Sequence, residues 1–198
     1  MQNNRISGSR KKTERGSESD PKKKKGVFAG KTAQLAMLTA LAILMGYVES
    51  LIPLNFGIPG IKIGLCNIVI LIVLLRYSWK ETLIVSIARI LVIGFLFGNL
   101  FSILYSLSGA VLSIAIMSLL MHTGQFGMLG ISAAGGCMHN IGQLLMAKLV
   151  LHGLPLLWYT PVLILAGLAT GALVAVIVNE IAKRLYSRPA ETSTTDLK

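Results

Sequence analysis

The sequence predicts an all-α, polytopic membrane helix bundle of about six transmembrane helices, and three observations predict it. Hydrophobic residues make up 54% of the 198 positions. Charged residues make up only 14%, with a mean hydropathy of +0.70, where a soluble domain carries about 25% charge. The body of the chain also divides into apolar stretches set apart by short polar or Gly/Pro breaks. Most of these approach the length of about 20 residues that crosses about 30 Å of hydrocarbon.

The elements follow in order. Residues 1–30 are rich in Lys, Arg, Ser and Gly and bury too little apolar surface to offset the entropy of ordering, so a disordered basic tail is expected. The run Lys22 to Lys25 suits anionic lipid headgroups. A cleaved signal peptide is not expected, because the apolar run from Thr32 to Pro53 exceeds a normal h-region and has no evident cleavage motif. Spans are expected at 32–52, 61–76, 82–98, 100–121, 128–151 and 156–182, within a membrane domain of 31–185. The second and third are short, which suits helices that are tilted, broken or buried inside the bundle. Residues 186–198 read as a flexible second tail.

The net charge of +11 looks like a nucleic-acid signal until it is located. Ten of the nineteen basic residues lie between Arg5 and Lys31, so the charge is an electrostatic tail and no nucleic-acid partner is expected. The same residues orient the chain. With both termini cytoplasmic, the tail, Arg76, Lys80, Lys183, Arg184, Arg188 and Lys198 all face the cytoplasm, against Lys62 alone outside. The expected location is the plasma membrane, with the lipid bilayer as first partner.

Ionisable residues inside spans cost about 2.5–3.5 kcal/mol each on insertion scales, so each asks for a destination. Glu49, Arg89 and Lys148 are the ionisable ones, with His139, Asn140 and Gln143 as polar companions and Lys62, Asn67 and Asn99 near the outer ends of their spans. Arg89 is too deep to snorkel and must face protein, water or a ligand anion. Glu49 is equally well explained by a pair with Arg89 or Lys62. Gly136, Asn140, Gln143 and Ala147 share one helical face, a pattern that also serves simple helix–helix adhesion. Lys148 lies nearer an end and can snorkel. His139 has no neighbouring carboxylate or histidine, so a hydrogen-bonded histidine is expected and no metal site. Cys66 and Cys137 read as buried packing residues. Asp occurs only at 20 and 196, and no phosphate loop is present. Magnesium-dependent diphosphate chemistry relies on gathered carboxylates that this chain cannot supply alone. No cofactor is expected.

Two stretches carry a family likeness. Pro59-Gly60-Ile61-Lys62-Ile63-Gly64-Leu65-Cys66-Asn67-Ile68-Val69 is followed by Arg89, Phe97-Gly98, Ser106, Ser108-Gly109 and Ser113. Gly135-Gly136-Cys137-Met138-His139-Asn140-Ile141-Gly142-Gln143 is the more specific of the two. Together they resemble heptaprenyl diphosphate synthase component I, also called the Gx transporter family, over residues 31–185. That family is grouped with the substrate-binding S components of energy-coupling factor (ECF) transporters. The resemblance implies a six-helix subunit that binds a small molecule near its outer side and depends on a coupling protein and two ATPases. It also implies a partner-facing small-residue motif, with Ala36 and Ala40 at the matching spacing.

The leading expectation is therefore a substrate-binding subunit for uptake of a small anionic molecule, lined by Glu49, Lys62, Asn67, Arg89, His139, Asn140 and Gln143. The alternative is a non-catalytic accessory subunit of heptaprenyl diphosphate synthase with a soluble, Asp-rich catalytic partner.

Overall fold

A computed structural model describes residues 21–51, 64–150, 158 and 160–186. Six helices appear in chain order: α1 Pro21–Leu51, α2 Leu65–Arg76, α3 Trp79–Phe97, α4 Leu100–Thr123, α5 Met128–Val150 and α6 Thr160–Tyr186. Among the described residues there is no strand. The fold is a helical membrane bundle. α4, α6 and the stretch Gly30–Leu51 of α1 are each long and apolar enough to cross a bilayer. Large apolar side chains such as Phe95, Leu100, Leu149 and Leu165 stand exposed on the outside, where lipid would cover them.

The chain divides into two units, Met1–Gln34 and Leu35–Lys198. In the first, helix begins at Pro21, inside the stretch expected to be a disordered tail. Proline is favoured at the opening position of a helix, where its missing N–H is no loss, and the lysines that follow are good helix formers. Residues 1–20 lie outside the described residues.

In the second unit α2 is the centre. It spans 12 residues, about 18 Å at the helical rise and too short to cross the hydrocarbon. Val69, Leu71, Val73 and Leu74 are buried against Val85, Ile114, Met117 and Val178. The short second span is thus a core helix, opened by Gly64 in the left-handed region at φ 79°. The rest of the expected stretch, 61–63, lies outside the described residues.

α3 starts three residues before its expected beginning at 82. The polar run Ser78-Trp79-Lys80-Glu81, read as a break, has the Ser-x-x-Glu pattern of a helix start, and Glu81 lies in the first turn, where the helix dipole favours it. Asn99 caps α4 by accepting from the Ser102 backbone N–H at 2.8 Å. α6 runs from Thr160 to Tyr186, four residues past the expected end at 182, and ends with an exposed Arg184–Glu180 pair at 3.2 Å; residues 156, 157 and 159 of the expected span lie outside the described residues.

α5 packs most extensively, against α4 on one side and α6 on the other. Glycine sets both contacts. A Cβ on Gly167 would stand 2.6 Å from the Gly136 carbonyl oxygen, and one on Gly142 would stand 2.7 Å from that of Ser108. Hydroxyls stitch the same seams: Ser132 donates to the Gly171 carbonyl at 2.7 Å and Ser108 to that of Gly142 at 2.9 Å. Close backbones with short polar links are how helices adhere where no hydrophobic effect separates protein from solvent.

Candidate binding cavity

A cavity of about 140 Å³ lies between the helices of the second unit, and all six contribute to its wall. Gly46 and Glu49 come from the last turns of α1, and Cys66 and Asn67 from the first turn of α2. The second half of α3 supplies Arg89, Ile93 and Phe97, and the first half of α4 supplies Ser102 and Ser106. Gly136, His139, Asn140 and Gln143 of α5 and Thr170 of α6 close it. The cavity therefore sits toward the end where α1 and α3 finish and α2 and α4 begin. Arg76, Lys80, Lys183 and Arg184 belong to the opposite end, at the finish of α2 and α6 and the start of α3.

Six of the seven residues expected to line a site, Glu49, Asn67, Arg89, His139, Asn140 and Gln143, share this one hollow. The seventh, Lys62, lies outside the described residues. Lys148 is exposed and apart from the cavity.

The polar groups are unequally engaged. Glu49 accepts from the Gly64 backbone N–H at 2.7 Å and from the Cys66 thiol at 3.4 Å. Arg89 donates from Nη1 to the Cys66 sulfur at 2.9 Å. The thiol thus stands between carboxylate and guanidinium, and the expected direct Glu49–Arg89 pair does not form. Asn140 donates to the Leu163 carbonyl at 2.7 Å, so one of its amide hydrogens ties α5 to α6. The Gln143 side chain is 2% exposed and its Oε1 has no hydrogen-bond partner. Arg89 is 9% exposed and its Nε has none either.

Arg89 is the unusual element. A buried charge is ordinarily paired, because desolvation costs several kcal/mol per ion. Among the described residues Arg89 makes no ion pair, and a thiol is a weak partner for a guanidinium. The arrangement is a buried positive charge with a spare N–H donor, carried by a residue on the wall of a polar hollow. Chemically it suits an acceptor-rich anion, with amide groups at hand to orient it.

Cys66 is the site residue that sequence reasoning assigned to packing. Its one signal was position, beside Asn67 at the start of a short span. Ser102 and Thr170 were passed over as well, and Ser106 entered only through the family likeness. Across the mouth side, the ring of Tyr47 lies 5.2 Å from that of Phe97, so α1 and α3 meet through aromatic contact beside the cavity. Ala36 and Ala40 are exposed on α1.

Fold and cavity together define the class: a helical membrane bundle enclosing a polar hollow whose cation is unpaired among the described residues. The chain belongs to the heptaprenyl diphosphate synthase component I family, whose family sequence model matches residues 38–181. That match contains every cavity-lining residue. No curated protein and no solved structure matches the chain.

Proposed function

We propose that the protein is a non-catalytic, membrane-embedded binding subunit of heptaprenyl diphosphate synthesis, whose cavity holds the anionic part of a ligand. The single observation that carries anion binding is Arg89, buried on the cavity wall with Nε unpartnered and no carboxylate paired to it among the described residues. The family supplies the pathway, and its name implies a catalytic partner. The residues agree with that division of labour. Asp occurs only at 20 and 196, so the carboxylate cluster that binds magnesium diphosphate must come from another chain.

A second reading is favoured by where the cavity lies. The end opposite it carries Arg76, Lys80, Lys183 and Arg184, and the positive-inside preference puts those in the cytoplasm of the plasma membrane. The cavity then opens toward the exterior, as a subunit for uptake of a small anion would require. Such a subunit would resemble the ECF S components and would work with a coupling protein, met through Ala36 and Ala40, and ATPases.

Purification in mild detergent with native mass spectrometry tests both. An isoprenoid diphosphate and a soluble Asp-rich synthase subunit co-purify on the first reading. A water-soluble metabolite with a coupling protein and ATPases co-purifies on the second, and overturns the first.

A further inference from the structure

Next to the cavity lies a smaller chamber of about 30 Å³. The two share Asn67, Arg89, Gly136, His139 and Thr170, so the chamber continues the cavity toward the core residues Leu71, Ile114 and Val174. Its remaining polar wall is hydroxyl: Ser86 of α3, Ser113 of α4 and Ser132 of α5. Ser132 is already engaged with the Gly171 carbonyl. Ser86 is not. It is 1% exposed, and among the described residues its Oγ has no hydrogen-bond partner.

Ser86 and Arg89 are three residues apart on α3, which places them on one face. Both carry a buried donor without a partner, Oγ–H and Nε–H, and both line the chamber. Buried polar groups in folded proteins are as a rule hydrogen-bonded, so two neighbouring unpartnered donors on one wall call for an acceptor. Water would satisfy the hydrogens and leave the guanidinium charge uncompensated. An oxyanion satisfies both.

We propose that the inner chamber is an oxyanion subsite, in which one carboxylate or phosphoryl group accepts from Arg89 Nε and Ser86 Oγ while the rest of the ligand occupies the outer cavity. This rests on the anion-binding reading above and narrows it. A chamber of 30 Å³ has room for two or three water-sized groups. It takes the oxygens of one oxyanionic group and excludes the second phosphate of a diphosphate, which would stay in the outer cavity with Gln143 and Asn140.

The test is thermal unfolding of the purified protein in detergent, titrated with inorganic phosphate, acetate or farnesyl diphosphate against chloride at equal ionic strength. At least one of the three raises the melting temperature of the wild type. Ser86→Ala weakens that response roughly 10- to 150-fold, the value of one hydrogen bond to a charged group. Ser86→Val, which fills the chamber, abolishes it. A response to farnesyl diphosphate marks an isoprenoid head as the source, and a response confined to phosphate or acetate marks a free anion. Equal responses in the wild type and both Ser86 variants overturn the subsite. If Arg89→Met still removes the response in that case, the anion-binding cavity survives without its inner chamber. No response of the wild type to any of the three overturns both. Should Ser86→Val not fold, an unchanged response in Ser86→Ala alone is enough to refute the subsite.

Discussion

Replacing Arg89 by methionine separates a ligand-binding arginine from a structural one, because the two roles predict opposite signs. Methionine keeps the length and apolar stem of the side chain and removes the charge. Arg89 is buried, engages Cys66 through Nη1 and among the described residues has no partner at Nε. An arginine within a membrane span costs about 2.5–3.5 kcal/mol on insertion scales. Replacing buried charge by well-packed apolar side chains is commonly neutral or stabilising by about 1–4 kcal/mol. Arg89→Met is therefore expected to raise the melting temperature of the ligand-free protein, or to leave it unchanged. Binding moves the other way. Hydrogen bonds to charged groups contribute about 1.5–3 kcal/mol each, so loss of one weakens affinity by roughly 10- to 150-fold. The assay pairs thermal unfolding of ligand-stripped protein with the quantity of ligand that co-purifies from cells, read by native mass spectrometry. A variant that unfolds more easily and still carries its ligand would show that Arg89 holds the bundle together, and the binding argument would fail.

Three further outcomes follow from the same geometry. Gly167→Ala puts a methyl 2.6 Å from the Gly136 carbonyl, where backbone must shift, so thermal unfolding should register a loss of about 1–3 kcal/mol; the lipid-facing Leu145→Ala control should stay within about 0.5 kcal/mol. Cys66 borders the cavity and Cys137 does not, so in a Cys137→Ala background a small maleimide should label Cys66 more slowly when ligand is bound, and equal rates would count against ligand reaching the cavity. A reporter enzyme fused after Lys198 should be active only on the cytoplasmic side, and activity outside would reverse the orientation.

The bundle was legible because hydrocarbon permits few alternatives. Backbone groups in lipid must be satisfied within the helix, so an apolar run announces its own conformation. α5 lies within one residue of its expected 128–151 and α4 within two of 100–121. The start of α3 was missed where polarity and helicity part company, since Ser78 to Glu81 is polar because it begins a helix rather than because it separates two. The convergence of the polar span residues on one candidate cavity was legible for a related reason. Charges and amides in a span are costly enough to need a shared polar destination, and six of them converge. Hydroxyls carry no such flag. Thr170 donates to the Ala166 carbonyl one turn back at 2.9 Å, which satisfies it locally, and nothing in its position betrays the cavity it also lines. Cys66 was hidden likewise, as a small thiol is at home in any core.

The size of the cavity constrains the isoprenoid reading further. A volume of about 140 Å³ accommodates roughly ten water-sized groups, far fewer than the atoms of a chain of seven five-carbon units. On the component I reading only the diphosphate end enters, and the hydrocarbon must leave between helices into lipid. On that reading Phe97 and Gly98 mark the exit, since both line the cavity and both are also exposed at the junction of α3 and α4. Lipid beyond that junction receives an isoprenoid tail at little cost, whereas a water-soluble metabolite gains nothing from it. Phe97→Lys should then weaken binding of a long-chain isoprenoid diphosphate more than that of inorganic phosphate, because it places a charge across the tail's path while leaving Arg89 and Ser86 untouched. Equal weakening of the two ligands would mean that the tail does not leave there.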